Sequence, residues 1–305
     1  MKIHVLGAAA GGGFPQWNCN CNNCKGVREG SLRARRRTQS SIGVSAGDGR
    51  WTLVNASPDI LQQFQNFAGS WPQGGLRGCG FESIVLVDAQ IDHTTGLYML
   101  REKGSPWPVW CTAPVHEDLT RGNPILHLLD HYCGVRHQPV SLAGECFHPE
   151  GAEALNWYPL PLVSAAPPYS PHRNNPVPGD NIGLEIEDPA SGKRVFYAPG
   201  LAEIDEAVWA AMNRADCVMV DGTFWTDDEM IRLGLSKKRA RDIGHLAQSG
   251  PGGMIEQLSR LPAHIRRVLI HINNTNPILN EDSPERAVLD AAGIEVAHDG
   301  MEIEL

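Results

Sequence analysis

The chain has no apolar run approaching the roughly 20 residues that a membrane-spanning helix needs. Positive charge is scarce as well. Lys and Arg number 26 against 35 Asp and Glu, a formal net charge of -9, which argues against a general nucleic-acid binder. The amino end runs Met-Lys-Ile-His-Val-Leu-Gly directly into a strand pattern, with no signal-peptide profile. A soluble, cytoplasmic protein is expected. Gly7 to Gly13 is glycine-rich but lacks the Gly-Lys-Ser/Thr ending of a P-loop and the glycine spacing of a dinucleotide fingerprint. Its expected role is backbone freedom where the chain crosses a sheet edge near the functional site. No internal repeat is visible. Eight cysteines would suit a disulfide scaffold only in a much shorter chain.

With 42% hydrophobic and 20% charged residues over 305 positions, the chain is expected to bury a packed core. It is read as one domain over 1–305, with an N-terminal cysteine loop over about 18–26. Residues 83–97 organise the rest. Ser83-Ile84-Val85-Leu86-Val87 reads as a buried strand. Thr94 or Thr95 is expected to cap a helix through Leu97, Tyr98, Met99 and Leu100. Asp88 to His93 then lie on a strand-to-helix turn, where ligands and catalytic groups collect. The bland alternative is a polar loop pair, Asp92-His93.

Cys19-Asn20-Cys21-Asn22-Asn23-Cys24 places three thiols within six positions. They can converge on one zinc ion, which requires a fourth ligand from elsewhere. Free core cysteines are the alternative. Arg33-Ala34-Arg35-Arg36-Arg37 is a basic run in an acidic chain. It reads either as a solvated face or as a recognition patch for a small polycarboxylate. His127 and His131, four apart on a helix, read as a surface or packing pair. Residues 159–181 contain seven prolines and read as a long loop and substrate lid, with Tyr169, His172, Arg173 and Asn174 over the ligand. Strands are expected at 3–6, 40–46, 51–55, 109–111, 182–186, 194–198, 216–221 and 262–272. Two more, at 294–297 and 301–305, are expected to complete the second sheet. This order of strands and helices fits an α/β fold, a four-layer αββα sandwich.

Asp88-Ala89-Gln90-Ile91-Asp92-His93, followed by Gly96-Leu97, resembles the His-x-His-x-Asp-His motif of the metallo-β-lactamase superfamily. The resemblance implies that fold. It also implies that the retained Asp-His pair serves the second of two metal positions, with His271 as the third ligand. The first position has lost its histidines to Asp88 and Gln90, and Pro199 stands where relatives carry a bridging Asp. His172 matches an intermediate first-site His, and His245 an active-site His. Asp221, at the end of its own strand, reads as a ligand or as an acceptor for one. Asp88 and His245 are expected to orient water or substrate. The Cys-x-Cys-x-x-Cys loop is similar to one in phosphodiesterases of the superfamily, whose fourth zinc ligand falls at Asn274 here. Asn274, another His or water are the choices.

Three segments, Gly11 to Cys24, Asp88 to Leu97 and His271 to Pro277, are together similar to the branch of the superfamily devoted to pyrroloquinoline quinone (PQQ) biosynthesis. That resemblance implies an Fe(II)- and O2-dependent hydroxylase acting on the tyrosine ring of a crosslinked Glu-Tyr diamino acid. Other enzymes of the pathway are its implied partners, and nucleic acid and membrane are not. Asp92, His93 and His271 form a two-His, one-carboxylate set, which leaves positions open for dioxygen and substrate. The competing readings are a residual metallohydrolase and a carrier or exporter of the finished quinone. For the residues themselves, the bland reading is a pair of hydrogen-bonded core histidines, His93 and His271.

Overall fold

The structure is a computed structural model that describes residues 1–305. Its strands are β1 (Lys2–Gly7), β2 (Ser41–Ser45), β3 (Trp51–Val54), β4 (Phe81–Val85), β5 (Trp107–Cys111) and β6 (Val135–Pro139). They continue as β7 (Asn156–Pro161), β8 (Ile182–Asp188), β9 (Lys193–Ala198), β10 (Cys217–Asp221), β11 (Arg266–Ile270), β12 (Ile294–Val296) and β13 (Glu302–Glu304). Short helices connect them: α1 (Asn22–Glu29), α2 (Ile60–Asn66), α3 (Ile91–Thr94), α4 (Gly96–Met99) and α5 (Ala113–Glu117). The later ones are α6 (Ile125–Leu129), α7 (Glu206–Arg214), α8 (Glu229–Arg232), α9 (Met254–Ser259) and α10 (Pro284–Ala291). Side chains mark several starts. Asp205 accepts from Val208 N at α7, and Ser283 accepts from Arg286 N just before Pro284 at α10.

Strand side chains alternate between two faces, and the central strands are apolar on both. In β9, β10 and β11, Val195, Tyr197, Met219, Val268 and Ile270 point into a core shared with Ile3, Val5, Ile42 and Val85 of the other sheet. Their neighbours Phe196, Val218, Val220 and Leu269 point outward, under Val208, Met254 and Leu289 of α7, α9 and α10. On the far side, Leu53, Ile84 and Leu86 meet Ile60, Leu97, Val115 and Ile125 of α2, α4, α5 and α6. Three apolar layers thus separate four structural layers, in the order expected of an αββα sandwich.

The first sheet runs β13-β1-β2-β3-β4-β5-β6 and the second β12-β11-β10-β9-β8-β7. β13 departs from expectation: it pairs antiparallel with β1 in the first sheet rather than finishing the second. The chain turns back after β12, and across the new pair Lys2 faces Glu304 with opposite charge while His4 Nδ1 lies by Glu302, both at 3.5 Å. The proline-rich loop also begins later than expected. Pro159 and Pro161 belong to β7, an edge strand, where a missing N–H is tolerated.

The organising stretch differs too. β4 ends at Val85, and a helix starts already at Ile91, so Asp92 and His93 sit on α3. Neither Thr94 nor Thr95 caps it. Their hydroxyls bond back to the carbonyls of Gln90 and Ile91 at 2.9 and 2.7 Å, a use of Thr that competes with capping. Gly96 then allows a close approach. Its N–H donates to Ala56 O at 2.9 Å, Ala56 N–H donates to His93 O at 2.7 Å, and a Cβ on Gly96 would lie 2.2 Å from Ser57 O. Gly96→Ala is therefore expected to push α3 off the β3 end. The expected loss is about 1–3 kcal/mol of stability, the usual cost of overpacking, together with metal retention at the α3 site. Urea unfolding and metal analysis check it; a variant that keeps both would show that this contact does not position α3.

Candidate metal centre

The loops that follow β1, β4, β10 and β11 meet at one end of the sandwich. They surround a cavity of about 300 Å³ lined by Gly11, Asp92, His93, Thr223, His245 and His271, with Gln90, Asn181 and Asn273 beside them. Asp92, His93 and His271 bring their ligand atoms within 4.8 Å of one another. His271 Nε2 lies 3.1 Å and His93 Nε2 3.9 Å from Asp92 Oδ2. His271 follows β11 with φ of 60°, a conformation uncommon outside glycine and frequent at functional sites.

Each imidazole is aimed by a partner on its other nitrogen. Asp88 holds His93 Nδ1 with both carboxylate oxygens, at 2.8 and 2.9 Å. Thr223 Oγ1 lies 3.0 Å from His271 Nδ1. His93 Nε2 is then buried with no hydrogen-bond partner. A buried nitrogen with nothing to bond is costly unless something else binds it. Its lone pair faces Asp92 and His271, and such donors suit a divalent transition metal.

The charges are mutually dependent. Burial works against ionisation of Asp92, but His93 and His271 outweigh it and hold the carboxyl well below the usual carboxylate range. Burial likewise disfavours a charged His93, while Asp88 and Asp92 outweigh it and raise its pKa to about 9. A metal ion replaces the proton in such a site.

A second group, Asp221, His245 and His271, adjoins the first. Here Asp221 is already engaged: Oδ2 lies 2.6 Å from His245 Nδ1 and accepts from Leu201 N at 3.1 Å, and Oδ1 accepts from Thr223 N at 2.9 Å. Asp221 therefore works as an acceptor that orients His245. Burial disfavours charge on His245, but Asp221 outweighs it and the pKa is raised. Asp88, expected to orient water or substrate, lines the cavity and has both carboxylate oxygens on His93. Gln90 is also occupied, donating to Ala165 O at 3.0 Å.

The lid residues fall elsewhere. His172 pairs with Glu117 Oε2 at 3.0 Å, Arg173 donates to Ala166 O, and Tyr169 donates to Ala89 O beneath the α3 loop. None of the three lines the cavity, nor does Asn174; Ser164 and Asn181 do. His127 is exposed and lies 3.8 Å from Asp130. Arg33, Arg35 and Arg37 line a different cavity. Thr223 was missed in the sequence, although its place two residues after the apolar end of β10 marks a strand-end loop.

At the cysteine loop, Sγ of Cys19, Cys21 and Cys24 lie within 4.8 Å of one another. The Asn274 amide reaches them at 3.1, 3.6 and 3.3 Å. An amide turned about its axis offers Oδ1 in place of Nδ2, so three sulfurs and one oxygen suit a four-coordinate zinc. Burial, reinforced by the neighbouring sulfurs, pushes the Cys21 thiol up to about 12, and a metal ion would favour its thiolate.

Against this geometry stand the known proteins. A Beta-lactamase superfamily domain model matches residues 50–272. Coenzyme PQQ synthesis protein B from Azoarcus sp. (strain BH72) is 61% identical over the whole of both chains. The chain belongs to the PqqB family. The PqqB-named protein of Methylobacillus flagellatus (strain ATCC 51484 / DSM 6875 / VKM B-1610 / KT) is 60% identical, again over the whole of both. The crystal structure of Zn(2+)-bound PqqB from Methylobacterium extorquens superposes with a TM-score of 0.89 at 38% identity, covering both chains completely. A diphosphatase from the PhnP family, at 17% identity and a TM-score of 0.67 over all of this chain and 97% of its own, shares the fold. The chain thus has the metallo-β-lactamase fold. No helix is long and apolar enough to cross a membrane.

If Asp88 aims His93, Asp88→Asn is expected to weaken metal binding at the Asp92 centre by about 10–100-fold, the usual effect of removing such a partner. Competition with a chelator measures this, and an unchanged affinity would sink the assignment. A reciprocal pair separates the two metal positions. His271→Ala is expected to empty the Asp92 centre and leave the cysteine site loaded. Cys19→Ser is expected to lower zinc content and melting temperature together, because a structural zinc contributes to folding free energy. Zinc content and melting temperature both unchanged in Cys19→Ser would exclude a structural site there.

Proposed function

We propose that the protein acts in PQQ biosynthesis as an Fe(II)- and O2-dependent hydroxylase of the tyrosine ring in a crosslinked Glu-Tyr diamino acid. The names of its full-length relatives support the pathway. The reaction class rests on one observation: the partnerless, buried Nε2 of His93 beside Asp92 and His271. Those three residues would hold the metal, and a two-His, one-carboxylate iron supplies oxygen activation while leaving positions open.

The chain's own residues do the rest. Asp88 and Thr223 fix the imidazole rings, so the ligand set is preorganised. Asp221 binds His245 Nδ1 and leaves Nε2 facing the cavity, where it can take a proton from a ring hydroxyl or return one. Asn181, whose buried Nδ2 has no hydrogen-bond partner, offers an amide to a carboxylate of a diamino acid. Two-metal hydrolysis needs a second ion. Asp88 and Gln90 occupy the first-site positions but are engaged with His93 and Ala165, which weighs against a residual hydrolase. Zinc in purified protein would not contradict the reading, since zinc outcompetes iron for such ligands.

Ring hydroxylation by dioxygen sends the second oxygen atom to water and so draws two electrons and two protons from an external reductant. The expected result with iron-loaded protein, the diamino acid, isotopically labelled dioxygen and a two-electron reductant such as ascorbate is label in the ring of the product, seen by mass spectrometry. His271→Ala should abolish it. Tight quinone binding without turnover would favour a carrier, and anaerobic cleavage of a phosphodiester a hydrolase.

A further inference from the structure

A second cavity, of about 480 Å³, opens between the 33–37 segment, α10 and β12. Arg33, Arg35, Arg37 and Arg286 line it, over an apolar floor of Ile294, Val296 and Met301. Arg37 is only 4% exposed. Its Nε donates to Ala297 O at 2.9 Å and its Nη1 to Arg35 O at 2.8 Å, and no carboxylate makes an ion pair with it. The acid that acts on it most, Asp299, is saturated elsewhere by Thr38 N, Thr38 Oγ1 and Ala8 N. Burial accordingly pushes the guanidinium down to about 10. A desolvated cation without a counter-charge is costly to keep.

The cavity's own acids do not neutralise it. Glu281 is shared between Arg33 and Arg35 at 3.0 and 3.3 Å, and Asp290 lies 3.6 Å from Arg286. Glu295 is taken from outside by Arg266, with two contacts at 2.6 and 2.9 Å. Exposed pairs such as those of Arg33 and Arg35 are weak and exchange readily with a ligand. Guanidinium planes pair with carboxylates in bidentate fashion. Here they approach from separate segments around an apolar floor. That arrangement suits several carboxylates spread over a carbon frame better than one compact phosphate.

We propose that this cavity is a ligand site separate from the metal centre and that it takes a small polycarboxylate. It needs no metal and does not depend on the hydroxylase reading.

The test is calorimetric titration of the full-length, metal-loaded protein with propane-1,2,3-tricarboxylate, and in parallel with inorganic phosphate. Saturable binding of the tricarboxylate is expected. Arg33→Gln/Arg35→Gln should weaken it about tenfold, the scale of one lost charge-assisted hydrogen bond. Arg37→Gln should abolish it. Because Arg37 also ties down two backbone carbonyls, the exposed pair Arg33→Gln/Arg35→Gln keeps the test decisive if Arg37→Gln does not fold. His271→Ala should bind as the parent does. The proposal is overturned by no saturable heat, by tighter binding of phosphate, by undiminished binding in the arginine variants, or by loss of binding in His271→Ala.

Discussion

Everything proposed for the metal centre depends on two backbone seams that join the sheets at one end. His93 comes from the first sheet and His271 from the second, so the ligand set exists only if the sheets are in register. One seam is the bridge between Ala9 and Ile272, with Ala10 N donating to Ile272 O and Ile272 N to Ala8 O, each at 2.9 Å. The other pairs Asp88 with Asn181, with Ile182 N donating to Val87 O at 2.9 Å. Side chains alternate along extended backbone, so a slip of one residue in either seam would turn a ligand away from the cavity. The small residues at 8–11 make the first seam feasible: a Cβ on Gly11 would already lie 3.4 Å from Asp92 Oδ2.

The departure from the two-metal pattern follows from the same local geometry. In the resembled motif, positions 88 and 90 carry histidines for a first ion. Here Asp88 turns toward His93 and Gln90 toward a backbone carbonyl. The substitutions therefore rewire the site as well as deleting ligands, since a carboxylate that would have touched a first metal now sets the ring of a ligand for the second. Paired with Asp88, His93 becomes a better donor.

Much of this was legible in the chain because it rests on local patterns. The apolar runs ending at Val87, Val220 and Ile270 marked strand ends, and Asp92-His93 and the cysteine spacing marked groups that the fold gathers with distant partners. The αββα order followed from alternating strands and helices. What escaped was decided by distant partners. Nothing in Met301 to Leu305 says that it will pair with residues 2–4 rather than with its neighbour β12. His172, expected over the ligand, is held instead by Glu117, 55 positions away. Thr94 and Thr95 had the residue type of a cap, but a helix had already begun at Ile91, so Thr94 ends α3 and Thr95, between α3 and α4, turns its hydroxyl back to Ile91 O. The arginine run divides: Arg33 and Arg35 are exposed at the mouth of a cavity, while Arg37, in the same run, is buried against the carbonyl of Ala297.

The cysteine loop and the metal centre are one mechanical unit. His271 and Asn274 lie on a single segment, three positions apart, each facing a different ligand set. That segment is pinned from both sides. Asn23, next to Cys24, donates to the carbonyls of Asn274 and Asn276 at 3.2 and 2.8 Å. Asn276 in turn donates to the carbonyls of Gly222 and Thr223 at 3.0 and 3.2 Å, and Thr223 contacts His271 Nδ1. A positive φ at His271 persists only where surroundings over-determine it, and these buried amides supply that constraint. An ion at the three thiols would lock the α1 loop, and with it the outer wall of the segment. On this geometry the cysteine loop braces the backbone that carries His271.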